Sequence, residues 1–234
     1  MKKLNLVLIL VALPIITFAQ SGRVQDMVDP FNTNTSLIYG KGNEKINGSP
    51  FLYEYWSRLE VLTKKDKMIT FDKGKLDVCS QKILFEKDGK EQWLQDNHVK
   101  QVSLLNADGS KEVYYRAALD GETVYLRHLV EGNQSLFVHY QINIVKPKQN
   151  FEQGYGSSSS TKKAYFSKIK TNYLVSADGL SFKLLKTKKK QAHEAFPAQY
   201  HSEIKSLIKK EKLSLKNESD VISLVEKING IIQQ

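Results

Sequence analysis

The feature that most constrains the fold is a strict alternation of apolar residues between Ser135 and Val145. The apolar residues occupy every second position: Leu136, Val138, Tyr140, Ile142 and Ile144. Because successive side chains of a strand point to opposite faces, this spacing predicts a β-strand with one face buried. The opposite face carries Phe137, His139, Gln141 and Asn143. Such a strand needs neighbours on both sides, and the chain must therefore supply a sheet.

Shorter strand-like segments separated by turn sequences lie before this stretch. Asp88-Gly89, Asp108-Gly109 and Asp120-Gly121 are turn dipeptides, because Asp and Gly readily adopt the positive φ of tight hairpins. The predicted strands are 56–63, 68–72, 75–79, 83–87, 91–95, 99–105, 113–117 and 123–130. In the last of these, Val124, Leu126, His128 and Val130 are predicted to share one face. The spacing predicts a mainly β fold, an antiparallel meander that forms a sandwich or a partly open barrel.

The apolar period changes to that of a helix near the C-terminus. Tyr200, Ile204, Leu207 and Ile208 fall on one helical face, and Val221, Leu224, Val225, Ile228 and Ile232 fall on a second. Asn217 is the predicted N-cap of the second helix. A further hairpin, 165–175 with 180–185, precedes the helices. The fold class is therefore α+β overall, with C-terminal helices packed on the strands.

The first residues have the pattern of a secretory signal peptide. Lys2 and Lys3 precede a short apolar run, and small residues follow near Ala19. The run is shorter than the roughly 20 apolar residues that a membrane span needs. We therefore predict a signal peptide at 1–19, cleavage between Ala19 and Gln20, and a periplasmic or extracellular location. No transmembrane segment is predicted after the signal is removed.

Composition divides the remaining chain into three parts. Residues 20–47 are rich in Asn, Thr, Ser and Gly and are predicted to be a flexible arm. Residues 48–186 are the predicted β-rich domain, in which the Ser-rich tract 151–163 is a flexible loop. Residues 187–234 are the predicted helical tail.

The two ends of the region after the arm resemble a known group of proteins. The entry Gly48-Ser49-Pro50-Phe51-Leu52 and the tail segment 204–217, with its following helix, are the parts that carry the likeness. They resemble an uncharacterised group of secreted bacterial proteins with a signal peptide, a strand-rich domain and a helical tail. The resemblance implies an exported, mostly β protein, and it implies no catalytic or ligand-binding residue.

Cysteine and histidine provide little sign of metal or redox chemistry. Cys79 is the only cysteine, so an internal disulfide is excluded. We predict that Cys79 is a half-buried strand residue, with a disulfide-linked dimer as the alternative. None of the five histidines has a metal-ligand spacing. His128 and His139 lie on neighbouring predicted strands, where ordinary hydrogen bonding is favoured over a metal site. No metal and no cofactor are predicted.

Motifs for catalysis are also missing. The sequence contains no Gly-x-Ser-x-Gly elbow, no phosphate-cradling glycine loop and no calcium loop. No catalytic residue is therefore predicted, and the sequence favours a non-enzymatic protein. An enzyme whose site is assembled from distant residues remains an alternative.

The chain is basic, with a formal net charge of +10. Lysines cluster before the tail and within it, and the predicted polyanion patch consists of Lys188, Lys189, Lys190, Lys205, Lys209 and Lys210. Lysines on the solvent face of an amphipathic helix are the commoner explanation of such a cluster. Nucleic acid is disfavoured as a partner, since no base-stacking aromatics are interleaved with these lysines.

Together these observations predict an exported β-rich structural or interaction module. Its expected partners are another envelope protein or an anionic surface. The first alternative is a polyanion or envelope-surface binder that uses the Lys-rich C-terminal region.

Overall fold

The computed structural model describes residues 46–146 and 163–233. The predicted signal peptide with its cleavage site, most of the N-terminal arm and most of the Ser-rich loop lie outside these residues. The strands are β1 Ser57–Thr63, β2 Met68–Asp77, β3 Lys82–Lys87, β4 Lys90–Trp93, β5 Val99–Leu105, β6 Lys111–Leu119, β7 Glu122–Val130, β8 Ser135–Gln141, β9 Ile144–Val145, β10 Tyr165–Phe166, β11 Lys170–Ser176 and β12 Lys183–Leu185. The helices are α1 His201–Lys210 and α2 Glu218–Ile232, and single 3-10 turns occur at Asp96–His98, Ala192–Ala195 and Ala198–Tyr200.

Ten of the strands form one antiparallel sheet in the order β12-β11-β8-β7-β6-β5-β1-β2-β3-β4. Two meanders, β1–β4 and β5–β8, are joined because β1 pairs with β5, for example through Val61 and Val102. Strands β9 and β10 form a separate two-stranded ribbon. The predicted strand-rich antiparallel fold with C-terminal helices is confirmed, and the sheet is not closed into a barrel.

The alternating stretch forms an interior strand, although a shorter one than predicted. Strand β8 ends at Gln141, and Ile144 and Val145 belong to the separate ribbon instead. Its neighbours are β7 and β11. Both faces of β8 are covered, since Val138 is fully buried and Phe137 and His139 are only 7% and 8% exposed. The strand is therefore an interior one, third from the β12 edge of the sheet, and the face that carries Phe137 and His139 is not a solvent face.

One predicted break in the chain is wrong. The segments 68–72 and 75–79 were expected to be separate strands, but β2 runs unbroken through Gly74. A Cβ atom at Gly74 would lie 2.6 Å from the Cβ of Leu59 on β1. Glycine permits this close approach of the two strands, so here it continues a strand rather than ending one. Cys79 lies in the turn after β2 rather than in a strand.

A bulge in β7 moves one side chain to the other face. His128 is opposite Phe137, whereas Val130 is opposite Leu136, so one extra residue is accommodated between them. Val130 therefore leaves the face that it was predicted to share with Leu126, and it packs in the core beneath the helices.

The core consists of two large clusters. One lies between the helices and strands β8, β11 and β12, and includes Leu136, Leu185 and Leu224. The other is enclosed by β1, β2, β3 and β5. The sheet curls around this second cluster, because the turn after β2 reaches β7 and β8. There Gln81 Nε2 donates to the carbonyl of Tyr140 at 3.0 Å, and Gln81 Oε1 accepts from the Tyr125 N–H at 3.0 Å.

Side chains near both ends of helix α2 hold it to neighbouring segments. Asn217 occupies the N-cap position as predicted, but its side chain makes no capping hydrogen bond. Asp220 in the first turn instead accepts from the backbone N–H of Ser214 at 2.7 Å. Near the other end, Asn229 Oδ1 accepts from the Gln134 N–H at 2.7 Å and Asn229 Nδ2 donates to the Gln134 carbonyl at 3.0 Å. This buried amide joins α2 to the turn between β7 and β8.

Candidate functional site

The edge of the sheet formed by β11 and β12 is a short hairpin. Only three residue pairs connect its strands, from Tyr173 with Leu185 to Val175 with Lys183. The hairpin was predicted around Asp178-Gly179, and its turn lies there. Its first strand begins at Lys170 rather than at Tyr165, which belongs to the separate ribbon.

A cleft opens where the hairpin pairing stops. If the register of Tyr173 with Leu185 continued, Lys170 would lie opposite Lys188, but β12 ends at Leu185 and the two segments separate. The space between them has a volume of about 330 Å³. Its lining residues are Lys170, Thr171, Asn172, Tyr173, Leu184, Leu185, Lys186, Thr187, Lys188 and Gln191. We call this space the lysine cleft.

The lysine cleft carries net positive charge. Lys186 Nζ lies 2.8 Å from Glu194 Oε2, but both side chains are more than two-fifths exposed, at 42% and 45%. Solvent therefore screens this pair strongly. Lys170 and Lys188 have no carboxylate partner within the described part of the chain. Two ammonium groups are thus available to an incoming anion, and a third is held only by a weak pair.

The lysine cleft is also lined by neutral polar residues. Thr171, Asn172, Thr187 and Gln191 belong to the lining, and their hydroxyl and amide groups are able to donate hydrogen bonds. No carboxylate, imidazole or thiol lines the cleft. The three lysines of the lining can attract an anion and neutralise its charge.

The structure places only part of the predicted polyanion patch at this cleft. Lys188 lines it, and Lys189 and Lys190 follow directly on the exposed chain. Lys205 lies on α1, where its charge contributes to the lowered pKa of His193, after burial of that ring. Lys209 and Lys210 are exposed in the last turn of α1.

Two lysines of the cleft, Lys170 and Lys186, are not part of the predicted polyanion patch. Lys170 is eighteen positions before Lys188, and the two come together only through the hairpin register. Centring the predicted hairpin on Asp178-Gly179 and counting outward would have paired them. The sequence therefore contains this signal, but the predicted first strand, 165–175, begins five residues before β11.

The histidines form no metal site in the described residues. His128 and His139 lie on one face but are offset, since His139 is opposite Leu126 and His128 is opposite Phe137. The His128 ring packs on Phe137 at 5.0 Å. Burial lowers the pKa of His139, so its ring is neutral at pH 7. Across the described ranges, no three His, Cys, Asp or Glu side chains are grouped to hold a metal ion.

A buried polar network includes Tyr114, which belongs to the second core cluster, and Tyr140, which packs against both clusters. The Glu112 carboxylate accepts from the hydroxyls of Tyr53 at 2.9 Å and Tyr114 at 2.7 Å, and Arg127 Nη2 lies 3.1 Å from it. Arg127 Nη1 continues to Tyr140 Oη at 3.1 Å and to Glu218 at 3.2 Å. Burial and the Glu112 charge raise the pKa of both Tyr53 and Tyr114, so these hydroxyls remain donors. Every member has a partner, which is the arrangement of a structural network rather than of a vacant site.

Cys79 is expected to be an unreactive thiol. Burial, with a smaller contribution from the charge of Asp77, raises the pKa of Cys79 to about 11. Because the thiolate is the nucleophile, we expect labelling by a disulfide reagent at pH 8 to be roughly 100-fold slower than in the denatured chain. The rate should rise about tenfold for each pH unit, since the thiolate fraction does so below the pKa. Equal rates in native and denatured protein would contradict this expectation.

Comparison with the models of known families, with curated proteins and with solved structures finds no match for this chain. Among the described residues, no helix has both the length and the apolar character that crossing a membrane requires.

Proposed function

We propose that this protein is an exported, non-enzymatic interaction module that binds an anionic group in the lysine cleft. The ligand class is a phosphate, sulfate or carboxylate, free or carried by an envelope polymer. The observation that carries the proposal is the placement of Lys170, Lys186 and Lys188 around one space of about 330 Å³. Of these three lysines, only Lys186 has a carboxylate partner among the described residues.

The chemistry of the lining supports binding over turnover. Charged groups beside hydroxyl and amide donors hold an oxyanion by charge and by hydrogen bonds together. The volume accommodates a small anion or one sugar acid rather than a folded partner. The basic charge of the whole chain, +10, favours approach of anionic ligands from solution.

The test is the affinity of the folded protein for two anionic probes, tripolyphosphate and heparin, measured by titration calorimetry at several salt concentrations. We expect replacement of all three cleft lysines, K170Q/K186Q/K188Q, to weaken binding about tenfold, because each screened ion pair contributes up to about 1 kcal/mol. The dependence of affinity on salt should also decrease, since fewer counterions are exchanged.

A matched control removes the same charge from the rest of the predicted patch. The variant K205Q/K209Q/K210Q changes three exposed lysines on α1. We expect it to bind both probes with nearly the affinity of the unmodified protein. If the two triple variants lose the same affinity, binding follows overall charge and the lysine cleft has no special role.

A further inference from the structure

The turn between β11 and β12 exposes an apolar side chain at its tip. Leu180 is 81% exposed, more than any other large hydrophobic residue in the described part of the chain. Leu184, on β12, is 52% exposed. A single exposed leucine is ordinary on a protein surface. Two exposed leucines on one short hairpin beside the lysine cleft form an apolar patch, and such patches are typical of interaction sites.

Hydrogen bonds of Asp178 hold the turn in a conformation that leaves Leu180 exposed to solvent. Asp178 Oδ1 accepts from the backbone N–H groups of Leu180 at 2.8 Å and Ser181 at 2.7 Å, and from Ser176 Oγ at 3.0 Å. These backbone hydrogen bonds, that of Ser181 first, lower the pKa of Asp178, so its carboxylate is ionised at physiological pH. Gly179 supplies the positive φ of 71° that the turn requires. The exposure of Leu180 is therefore built into the turn.

The next apolar residue of the turn anchors it to the sheet. Phe182 packs edge-to-face on Phe137 of β8, with their ring centroids 5.4 Å apart. Phe182 is only partly exposed and belongs to a small cluster on the sheet face away from the helices. Phe182 therefore contacts the sheet, whereas Leu180 and Leu184 on either side of it in the chain are exposed. The contact of Phe182 holds the two leucines in position.

Exposed lysines follow these leucines along the chain. Lys183 lies between Phe182 and Leu184, and the run continues with Lys186, Lys188, Lys189 and Lys190. An apolar side chain that enters the acyl boundary, together with ammonium groups at the level of the headgroups, is the chemistry of peripheral binding to anionic lipid. A soluble anion uses the lysines alone and gives Leu180 no role. A second copy of this hairpin would bring lysine against lysine.

We infer that the β11–β12 hairpin docks on an anionic lipid surface, with Leu180 and Leu184 entering the lipid while the lysines of the cleft and of the following run contact the headgroups. This inference rests on the proposed function, because the same lysines bind the anion. It adds one chemical class of partner, a bilayer that contains anionic phospholipid. It also assigns a role to two leucines that the cleft does not need for charge recognition.

The test is co-sedimentation of the protein with phosphatidylcholine vesicles and with vesicles that also contain phosphatidylglycerol. We expect binding only to the second kind. Leu180→Ser should weaken it about tenfold or more, because a leucine side chain no longer leaves water. Met68→Ser is the matched control, since Met68 on β2 is 54% exposed and lies far from the hairpin in the strand order. It should leave binding unchanged.

A fluorescence measurement identifies the residue that enters the lipid. In a Leu180→Trp variant, emission should shift to the blue on anionic vesicles and be quenched by lipids brominated on the acyl chain. A Met68→Trp variant should show neither effect. If Leu180→Ser binds the vesicles as tightly as the unmodified protein, or if Leu180→Trp is not quenched, docking through the hairpin is overturned.

The heparin and tripolyphosphate titrations separate the two proposals. If the soluble anions bind in the cleft and the anionic vesicles do not bind, the lipid inference fails and the proposed function stands. If K170Q/K186Q/K188Q binds the soluble anions as well as the unmodified protein, the proposed function fails, and the lipid inference fails with it.

Discussion

Replacing Arg127 with methionine is expected to lower the free energy of unfolding by about 3–5 kcal/mol. Its guanidinium lies 3.1 Å from Glu112, whose side chain is only 7% exposed. Methionine fills much of the same volume but leaves the Glu112 carboxylate buried without its cation. Removing one member of a buried ion pair is costly because the remaining charge is neither solvated nor neutralised. Urea denaturation followed by tryptophan fluorescence measures the change.

Two further variants test whether the effect of Arg127→Met comes from the buried charge of Glu112. Lys100→Met breaks the pair of Lys100 with Asp66, whose side chains are 53% and 73% exposed, and it should cost less than about 1 kcal/mol. The double variant R127M/E112Q should be less destabilised than the sum of its single changes, since the second change removes the uncompensated carboxylate. Additive costs, or an Arg127→Met cost as small as that of Lys100→Met, would refute the proposed importance of the network.

The second large effect is expected at the contact between α2 and the turn after β7. Asn229 is only 7% exposed and satisfies both the N–H and the carbonyl of Gln134, at 2.7 and 3.0 Å. Asn229→Ala leaves both backbone groups buried without a partner. Each such group costs about 1–3 kcal/mol, so we expect a total loss of about 2–6 kcal/mol in the free energy of unfolding. Thermal and urea denaturation should both report it.

Gly132 provides a test of the same contact from the opposite side. A Cβ atom at Gly132 would lie 2.4 Å from Asn229 Nδ2. Gly132→Ala should therefore displace the amide and lose much of the same stability. In the double variant G132A/N229A the new methyl group meets no amide. Its loss of stability should therefore be clearly smaller than the sum of the losses of the two single variants. The exposed change Glu226→Ala on α2 is the control, with little expected effect. Fully additive costs would show that Asn229 does not act through this turn.

Most of the strand pattern could be predicted because local chemistry determined it. The turns at Asp88-Gly89 and Asp120-Gly121 adopt positive φ at both residues, as the dipeptides require. The predictions of strand bounds and faces are wrong where the structure depends on a neighbouring strand. Gly74 looked like a chain break and instead permits contact with Leu59, and the bulge that moves Val130 depends on the register with β8. Neither effect is visible within one segment.

In the candidate site, too, some features follow from local sequence and others from the pairing of strands. A cationic surface could be predicted from the run at Lys188 to Lys190, since charge is a property of the sequence. The cleft could not, because it exists only where the pairing of β11 with β12 ends. Lys170 enters it through register, and Lys209 and Lys210 stay on the exposed face of α1. The buried network of Glu112 and Arg127 was also missed, since its members are far apart in the chain.

Local sequence accounts for the strand alternation around Val138, the order of turns, the helical period of the tail and the excess of lysine. These follow from the preferences of each segment, in which apolar periodicity and turn residues act over a few positions. The tertiary structure determines which strand lies at the edge, where the pairing of that edge ends, and which lysines surround the resulting space. Those outcomes depend on strand pairing between segments, such as that of β11 with β8 and with β12. Such contacts form only when folding brings the segments together, and for that reason the sequence of one segment does not predict them.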